Sequence, residues 1–160
     1  MDRCFAPLVA DDARLMILGS LPGARSLAEQ RYYAHPQNQF WRLVGAVIGR
    51  DLASMDYPGR LDALRLARIG LWDTVAEATR KGSLDADIKL HRSSEIVALA
   101  AGLPQLRAIA FNGGTAARIG RRQLGADPPV ALVDLPSSSP AHTMKFETKL
   151  EAWLKLRDYL

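Results

Sequence analysis

The chain has 160 residues, 48% of them apolar and 24% charged, a composition that fits one globular domain and excludes a disordered tail, a collagen-like repeat or a disulfide scaffold. No run approaches the roughly 18 consecutive apolar residues of a membrane span, and the opening MDRCFAPLVADDAR lacks the apolar core of a secretory signal, so a cytoplasmic protein is expected. The formal net charge is +4: residues 1–60 hold seven Lys/Arg against six Asp/Glu and residues 61–160 fourteen against eleven, an excess that permits a polyanionic partner without demanding one. Cys4 is the only cysteine, which rules out an internal disulfide, a CxxC redox pair and a cysteine-held iron–sulfur cluster.

Nothing in the chain reads as a repeat or a linker, so residues 1–160 are taken as one domain. Four short apolar runs, Leu15–Leu18, Ile69–Trp72, Ala108–Phe111 and Val130–Leu135, have the character of strands buried on both faces. Helical patterns lie between them. Phe40, Trp41, Val44, Val47 and Ile48 form one apolar face starting near Asn38, and Leu61, Leu64 and Leu66 suggest a second helix after Pro58-Gly59. Ile96, Val97, Leu99 and Ala100 suggest a third, Thr115 to Leu124 a basic fourth, and Phe146, Leu150, Trp153 and Leu154 a periodic fifth. Alternating strands and helices predict a three-layer α/β sandwich around a four-stranded, mostly parallel sheet. Ligands of such sheets bind beyond the carboxyl ends of the strands, where this chain has GSLPGARS, DTV, NGG and PSSSPAH.

The first of these loops matches neither a Walker loop nor a dinucleotide loop. Its Gly19 and Gly23 instead allow close backbone approach to a ligand. Tyr32–Trp41 (YYAHPQNQFW) packs four aromatics among amide side chains, the combination that a flipped base requires: rings for its face, donors and acceptors for its edge. No phosphate loop or cluster with metal-ligand spacing accompanies it, so no metal and no cofactor are expected.

Gly19–Trp41 (GSLPGARSLAEQRYYAHPQNQFW) resembles the first motif of the uracil-DNA glycosylase superfamily, and Leu135–Ala141 (LPSSSPA) its second, the loop that presses on the DNA minor groove. Gly70–Val75 (GLWDTV) falls where that superfamily reads the base edge, and Lys81–Asp85 (KGSLD) favours the deoxyinosine branch over the mismatch-specific uracil/thymine branch. The sequence departs from the family in places. Leu21 stands where the mismatch branch has a water-positioning Asn, the Asp-Pro pair of the uracil branch is absent, Ser137 replaces a His, and small Ala141 occupies the wedge position.

The resemblance implies a monomeric enzyme that flips a deaminated base out of DNA and hydrolyses its N-glycosidic bond, hypoxanthine first and uracil or thymine mismatches second. Asn38 is then the residue that orients water, with Asn112 as a second catalytic candidate. Backbone N–H groups around Ser20–Gly23 would stabilise charge on the departing base, with Ser20 and Leu21 among the base-binding residues, Tyr33 would shape the pocket and Phe40 would stack on the base. Asp73 would accept from the lactam N–H that hypoxanthine and uracil carry and that adenine and cytosine lack. Gly23, Ser137, Ser139, Ala141 and His142 would touch DNA, His142 being an alternative wedge, while Arg118, Arg121 and Arg122 read as an exposed basic face. Two other readings remain open: a binding-only relative that has lost catalysis at Leu21 and Ser137, and a hydrolase of free nucleosides on the same sheet. Lys81 and Lys145 are the lysines near candidate loops that a lyase step would need.

Overall fold

A computed structural model describes residues 2–80 and 88–160. All four apolar runs are strands of one parallel sheet: β2 (Leu15–Gly19), β3 (Ile69–Asp73), β6 (Ala108–Asn112) and β7 (Ala131–Leu135), in the order β3-β2-β6-β7. Period-2 alternation divides β2 between two cores. Leu15 and Ile17 face α2 (Phe40–Ile48), α3 (Tyr57–Leu66) and α6 (Phe146–Leu154), together with Phe40, Val44, Leu64 and Trp153. Met16 and Leu18 face the other way, toward α4 (Ile96–Ala101) and α5 (Gly114–Leu124), with Ile96, Phe111 and Ala116. The result is the expected helix–sheet–helix sandwich.

A second sheet is absent from the sequence reading. β1 (Asp2–Arg3) pairs antiparallel with β4 (Val75–Arg80), which pairs with β5 (Ile88–Ser93). A search for continuous apolar runs passes over these strands, whose sequences VAEATR and IKLHRS interleave charges with apolar residues. The chain crosses from one sheet to the other at Thr74, where the N–H of Thr74 donates to Gly19 O (2.7 Å) and that of Val75 to Ser20 O (2.9 Å). Lys81–Asp85, the segment favouring the deoxyinosine branch, lies outside the described residues.

Three helix expectations need correction. A six-residue helix, α1 (Ala24–Glu29), follows the first loop where none was predicted. α3 begins at Tyr57, ahead of Pro58-Gly59, because Asp56 caps it by accepting from Gly59 N–H at 2.8 Å and proline is tolerated in a first turn. Leu66 and Val97 do not belong to buried faces: they are 79% and 50% exposed.

What positions the site is register. Gly19 lies beside Asp73, Leu18 beside Phe111, and Asn112 beside Leu135, so the carboxyl ends of all four strands finish along one edge. Strand order reverses between β2 and its neighbours β3 and β6, which opens the crevice there.

α5 packs unusually close to the sheet, since a Cβ at Gly120 would overlap the fully buried Phe111 ring. Gly120→Ala is expected to destabilise the fold by about 1–3 kcal/mol, as overpacking does. Thermal melts will check this: adding Phe111→Leu should recover part of the loss, and an unshifted Gly120→Ala melt would contradict the packing.

Candidate active site

The carboxyl edge of the parallel sheet opens into a cavity of about 510 Å³. Three segments and a strand end enclose it: Gly19–Ser26 after β2, the 32–38 loop before α2, 137–142 after β7, and Asp73 at the end of β3, with Asn112 from β6 on the floor. Of the residues singled out from the sequence, Ser20, Leu21, Gly23, Tyr33, Asn38, Asp73, Asn112, Ser137, Ser139, Ala141 and His142 all line it. Phe40 does not.

The exclusion of Phe40 corrects its expected role. Its ring is fully buried, with Tyr33 stacked on it at 3.8 Å and an interplanar angle of 12°. Trp41 and Trp153 hold the Phe40 ring edge-on, at centroid distances of 4.9 and 5.8 Å. Phe40 therefore backs the aromatic wall, and Tyr33, together with Tyr32, borders the cavity. Tyr33 adopts a left-handed backbone (φ 53°), fixed by Trp41 Nε1 donating to its carbonyl at 3.2 Å and by Ser26 Oγ accepting from Ala34 N–H at 3.0 Å.

Asp73 is 3% exposed and sits beside the first loop. Gly19 makes room for it: a Cβ there would come within 2.7 Å of Asp73 Oδ1 and 3.1 Å of the Tyr33 hydroxyl. Asp73 is not a helix cap, because β4 follows it directly after Thr74. The neighbouring Tyr32 phenol is pushed far up by burial and secondarily by the Asp73 charge, and it donates to Ala6 O at 3.1 Å. Leu21 packs against Val75 and Ile119 while closing one side of the cavity. The backbone N–H groups of Leu21 and Gly23 bond to none of the described residues.

The two amides are joined through Ser138, which the sequence reading passed over in favour of its neighbours. Ser138 N–H donates to Asn112 Oδ1 (2.8 Å), Asn112 Nδ2 donates to Ser138 Oγ (2.9 Å), and Ser138 Oγ donates to Asn38 Oδ1 (2.8 Å). Phe40 N–H also donates to Asn38 Oδ1 (3.0 Å), so Asn38 satisfies a first-turn donor of α2 and borders the cavity at once. Asn112 is thus bound at both amide atoms to Ser138. A clue to Ser138 lay in the run of three serines: on an extended loop the middle one faces opposite its neighbours.

Ser137 and Ser139 hold the shape of the 137–142 loop. Ser137 Oγ accepts from Ser139 N–H (3.1 Å) and Ser139 Oγ from Ala141 N–H (3.2 Å), which leaves each hydroxyl proton for an external acceptor. Ala141 and His142 are exposed at the rim. From below, α6 anchors the loop: Trp153 Nε1 donates to Pro136 O (3.0 Å) and Lys149 Nζ to Ser139 O (3.2 Å). Lys149 is a buried cation whose pKa is lowered by desolvation. The basic face of α5 lies apart, with Arg121 paired to Asp134 at 3.0 Å and none of its arginines bordering the cavity. Lys145 precedes α6 and is exposed, also away from the lining, while Lys81 is outside the described residues.

A parallel sheet whose carboxyl edge opens into an amide-lined cleft, with a serine-rich loop at its rim, has a counterpart among known families. Residues 6–159 match the model of the uracil DNA glycosylase superfamily, and the chain belongs to that superfamily. Two relatives are named hypoxanthine DNA glycosylase. The Methanosarcina barkeri protein is 36% identical over 93% of each chain, and the Methanosarcina acetivorans protein 37% identical over 94% of each. The solution NMR structure of a candidate uracil DNA glycosylase from Methanosarcina acetivorans superposes with a TM-score of 0.86 at 35% identity, over 99% of this chain and 98% of that one.

The buried lysine makes a pH test of the loop anchor. Its lowered pKa means that folding keeps a desolvated charge at neutral pH, a cost that disappears as pH rises through the folded-state value toward the ordinary 10.5. Lys149→Met should therefore gain most over the parent near pH 7 and lose that advantage at alkaline pH. Paired thermal melts across pH 7 to about 10 will show it, and a difference that stays constant would refute a charged, desolvated Lys149.

Proposed function

We propose that the chain removes hypoxanthine from deoxyinosine in DNA, as a monofunctional glycosylase that hydrolyses the N-glycosidic bond of a flipped-out nucleotide. The names of its two relatives support the substrate, and the single observation that carries the reading is Asp73, a carboxylate at the cavity wall in the space that Gly19 leaves. Its oxygen accepts from the lactam N1–H of hypoxanthine, where adenine would oppose a lone pair to it. The superfamily and the serine loop make DNA the partner, with Ser137, Ser139 and Gly23 toward phosphates and Ala141 or His142 toward the vacated base position. The same reading takes the chain as a monomer acting in the cytoplasm, where DNA is at hand.

The bond that breaks is C1′–N9, and its electron pair leaves with the base as a purine anion. A water oxygen forms the new bond to C1′, and its proton ends on the departing base. Charge on the base meets the backbone N–H group of Leu21, which bonds to none of the described residues. Tyr33, supported by Phe40, stacks on the base face. Asn38 holds the water. An amide is no base at neutral pH, and this step needs none, because an oxocarbenium-like sugar demands a placed water more than an activated one.

Base release from oligonucleotides carrying deoxyinosine, uracil or a G·T mismatch, read by alkaline scission, tests the reading. Deoxyinosine should be cut fastest, and Asn38→Ala and Asp73→Ala should each slow it by on the order of 10²-fold in single turnover. Faster cutting of uracil would keep the reaction and overturn the substrate. DNA binding without release from any oligonucleotide would favour the binding-only relative, and turnover of free inosine the nucleoside hydrolase.

A further inference from the structure

Ser138 stands between the two amides of the cleft, 1% exposed, and we propose that it is the positioning residue that fixes which end of Asn38 faces the cavity. This rests on the reading of Asn38 as the residue that holds the attacking water.

The direction of the hydrogen-bond chain follows from its two ends. A backbone N–H can only donate, so the amide atom that meets Phe40 N–H is the Asn38 oxygen, and the one that meets Ser138 N–H is the Asn112 oxygen. Asn112 must then present its nitrogen to Ser138 Oγ. Having received that proton, the Ser138 hydroxyl turns its own to the acceptor left among the described residues, Asn38 Oδ1. Both lone pairs of that oxygen are now used. Asn38 Nδ2 bonds to no described residue, and Asn38 borders the cavity, so the group offered to the ligand is a donor, not an acceptor.

A donor amide suits a water that must attack. It binds one lone pair and leaves the other for C1′. Ser138 supplies what Asn38 lacks on its own, since Asn38 sits on a loop ahead of α2 and one backbone contact would leave its side chain free to rotate. Asn112 is placed one step back. It contributes by holding Ser138, which revises its expected direct role in catalysis.

Single-turnover release from a deoxyinosine oligonucleotide, at varied enzyme concentration, separates rate from affinity. Ser138→Ala should lower the maximal rate by on the order of 10- to 100-fold, as small misplacements of a catalytic group do. The half-saturating concentration should stay within about twofold, well under the change expected for a lost phosphate contact. In an Asn38→Ala background the same substitution should add less than about twofold, because the two act through one atom. Ser138→Thr, which keeps the hydroxyl, should recover most of the rate. Asn38→Asp, which keeps the oxygen for Ser138 and Phe40 but loses the donor, should be as slow as Asn38→Ala.

Equal losses in both backgrounds, a loss confined to affinity, or an Asn38→Asp variant faster than Asn38→Ala would each overturn the proposal. A second measurement does not depend on activity. In the NMR spectrum the Asn38 side-chain NH₂ pair should shift and exchange faster with solvent in Ser138→Ala, while the backbone resonances elsewhere stay in place. An unchanged NH₂ pair would refute Ser138 as the anchor even if the parent released no base, an outcome that would by itself count only against the proposed reaction.

Discussion

Two backbone N–H groups, those of Phe40 and Ser138, decide how the cleft is wired, because neither can do anything but donate. Their partners are the oxygens of amides that would otherwise be free to flip, and Ser138 Oγ links Asn112 to Asn38, which lies 100 positions from the serine in the chain. Gln39 N–H adds a further tie to Ser138 O at 3.0 Å, so the loop after β7 is stitched to the entry of α2 by backbone as well as side chain. A network of this kind in a low-dielectric setting holds one arrangement or fails outright, since each member left unpaired costs more than it contributed when paired. The parallel sheet makes it affordable: by ending β2, β3, β6 and β7 in register, it brings four sequence-distant loops within side-chain reach.

The aromatic wall is built on a compatible constraint. Tyr33 takes a backbone conformation that costs an L-residue about 1–2 kcal/mol. The bonds at its carbonyl and at Ala34 N–H hold it there, and stacking on Phe40 gives a return. Phe40 does this from inside the core, as one of the residues that attach α2 to the sheet. The pocket face and the hydrophobic core thus share a ring stack, and the geometry of one cannot be altered without the other. Gly19 shows the same economy, since the absence of a side chain is what admits Asp73 and the Tyr33 hydroxyl to one corner.

The sequence was most legible where burial leaves a one-dimensional trace. The four core strands, the sandwich and the strand-end loops all follow from apolar runs and their punctuation, and eleven of the twelve chosen site residues border the cavity. Phe40 was misplaced because adjacent aromatics give no sign of which one faces in; Tyr33 and Phe40 are separated by a loop and meet as a stack only in three dimensions. Ser138 was missed for a related reason. Its partners, Asn38 and Asn112, are 100 and 26 residues away, and local spacing carries no record of such pairs. The β4–β5 sheet escaped because its strands alternate charged and apolar residues in short segments, a pattern shared with many exposed loops.

The substitution of Leu21 for a polar residue gains its meaning from this wiring. Leu21 is 6% exposed and packs on Val75 and Ile119, so the first loop meets the second sheet through an apolar contact instead of presenting a side-chain donor to the cleft. On the proposed reading the polar duty falls to Asn38, which Ser138 holds directly and Asn112 through Ser138. Moving one amide would have been of little use without the other two residues, because an isolated loop amide neither holds its polarity nor its place. A departing hypoxanthine or uracil can carry its own negative charge through its lactam, so the protein is asked for orientation more than for acid or base strength. In the proposed reaction that division of labour lets placed amides and a backbone donor do the work, and selectivity then rests on the base edge presented to Asp73.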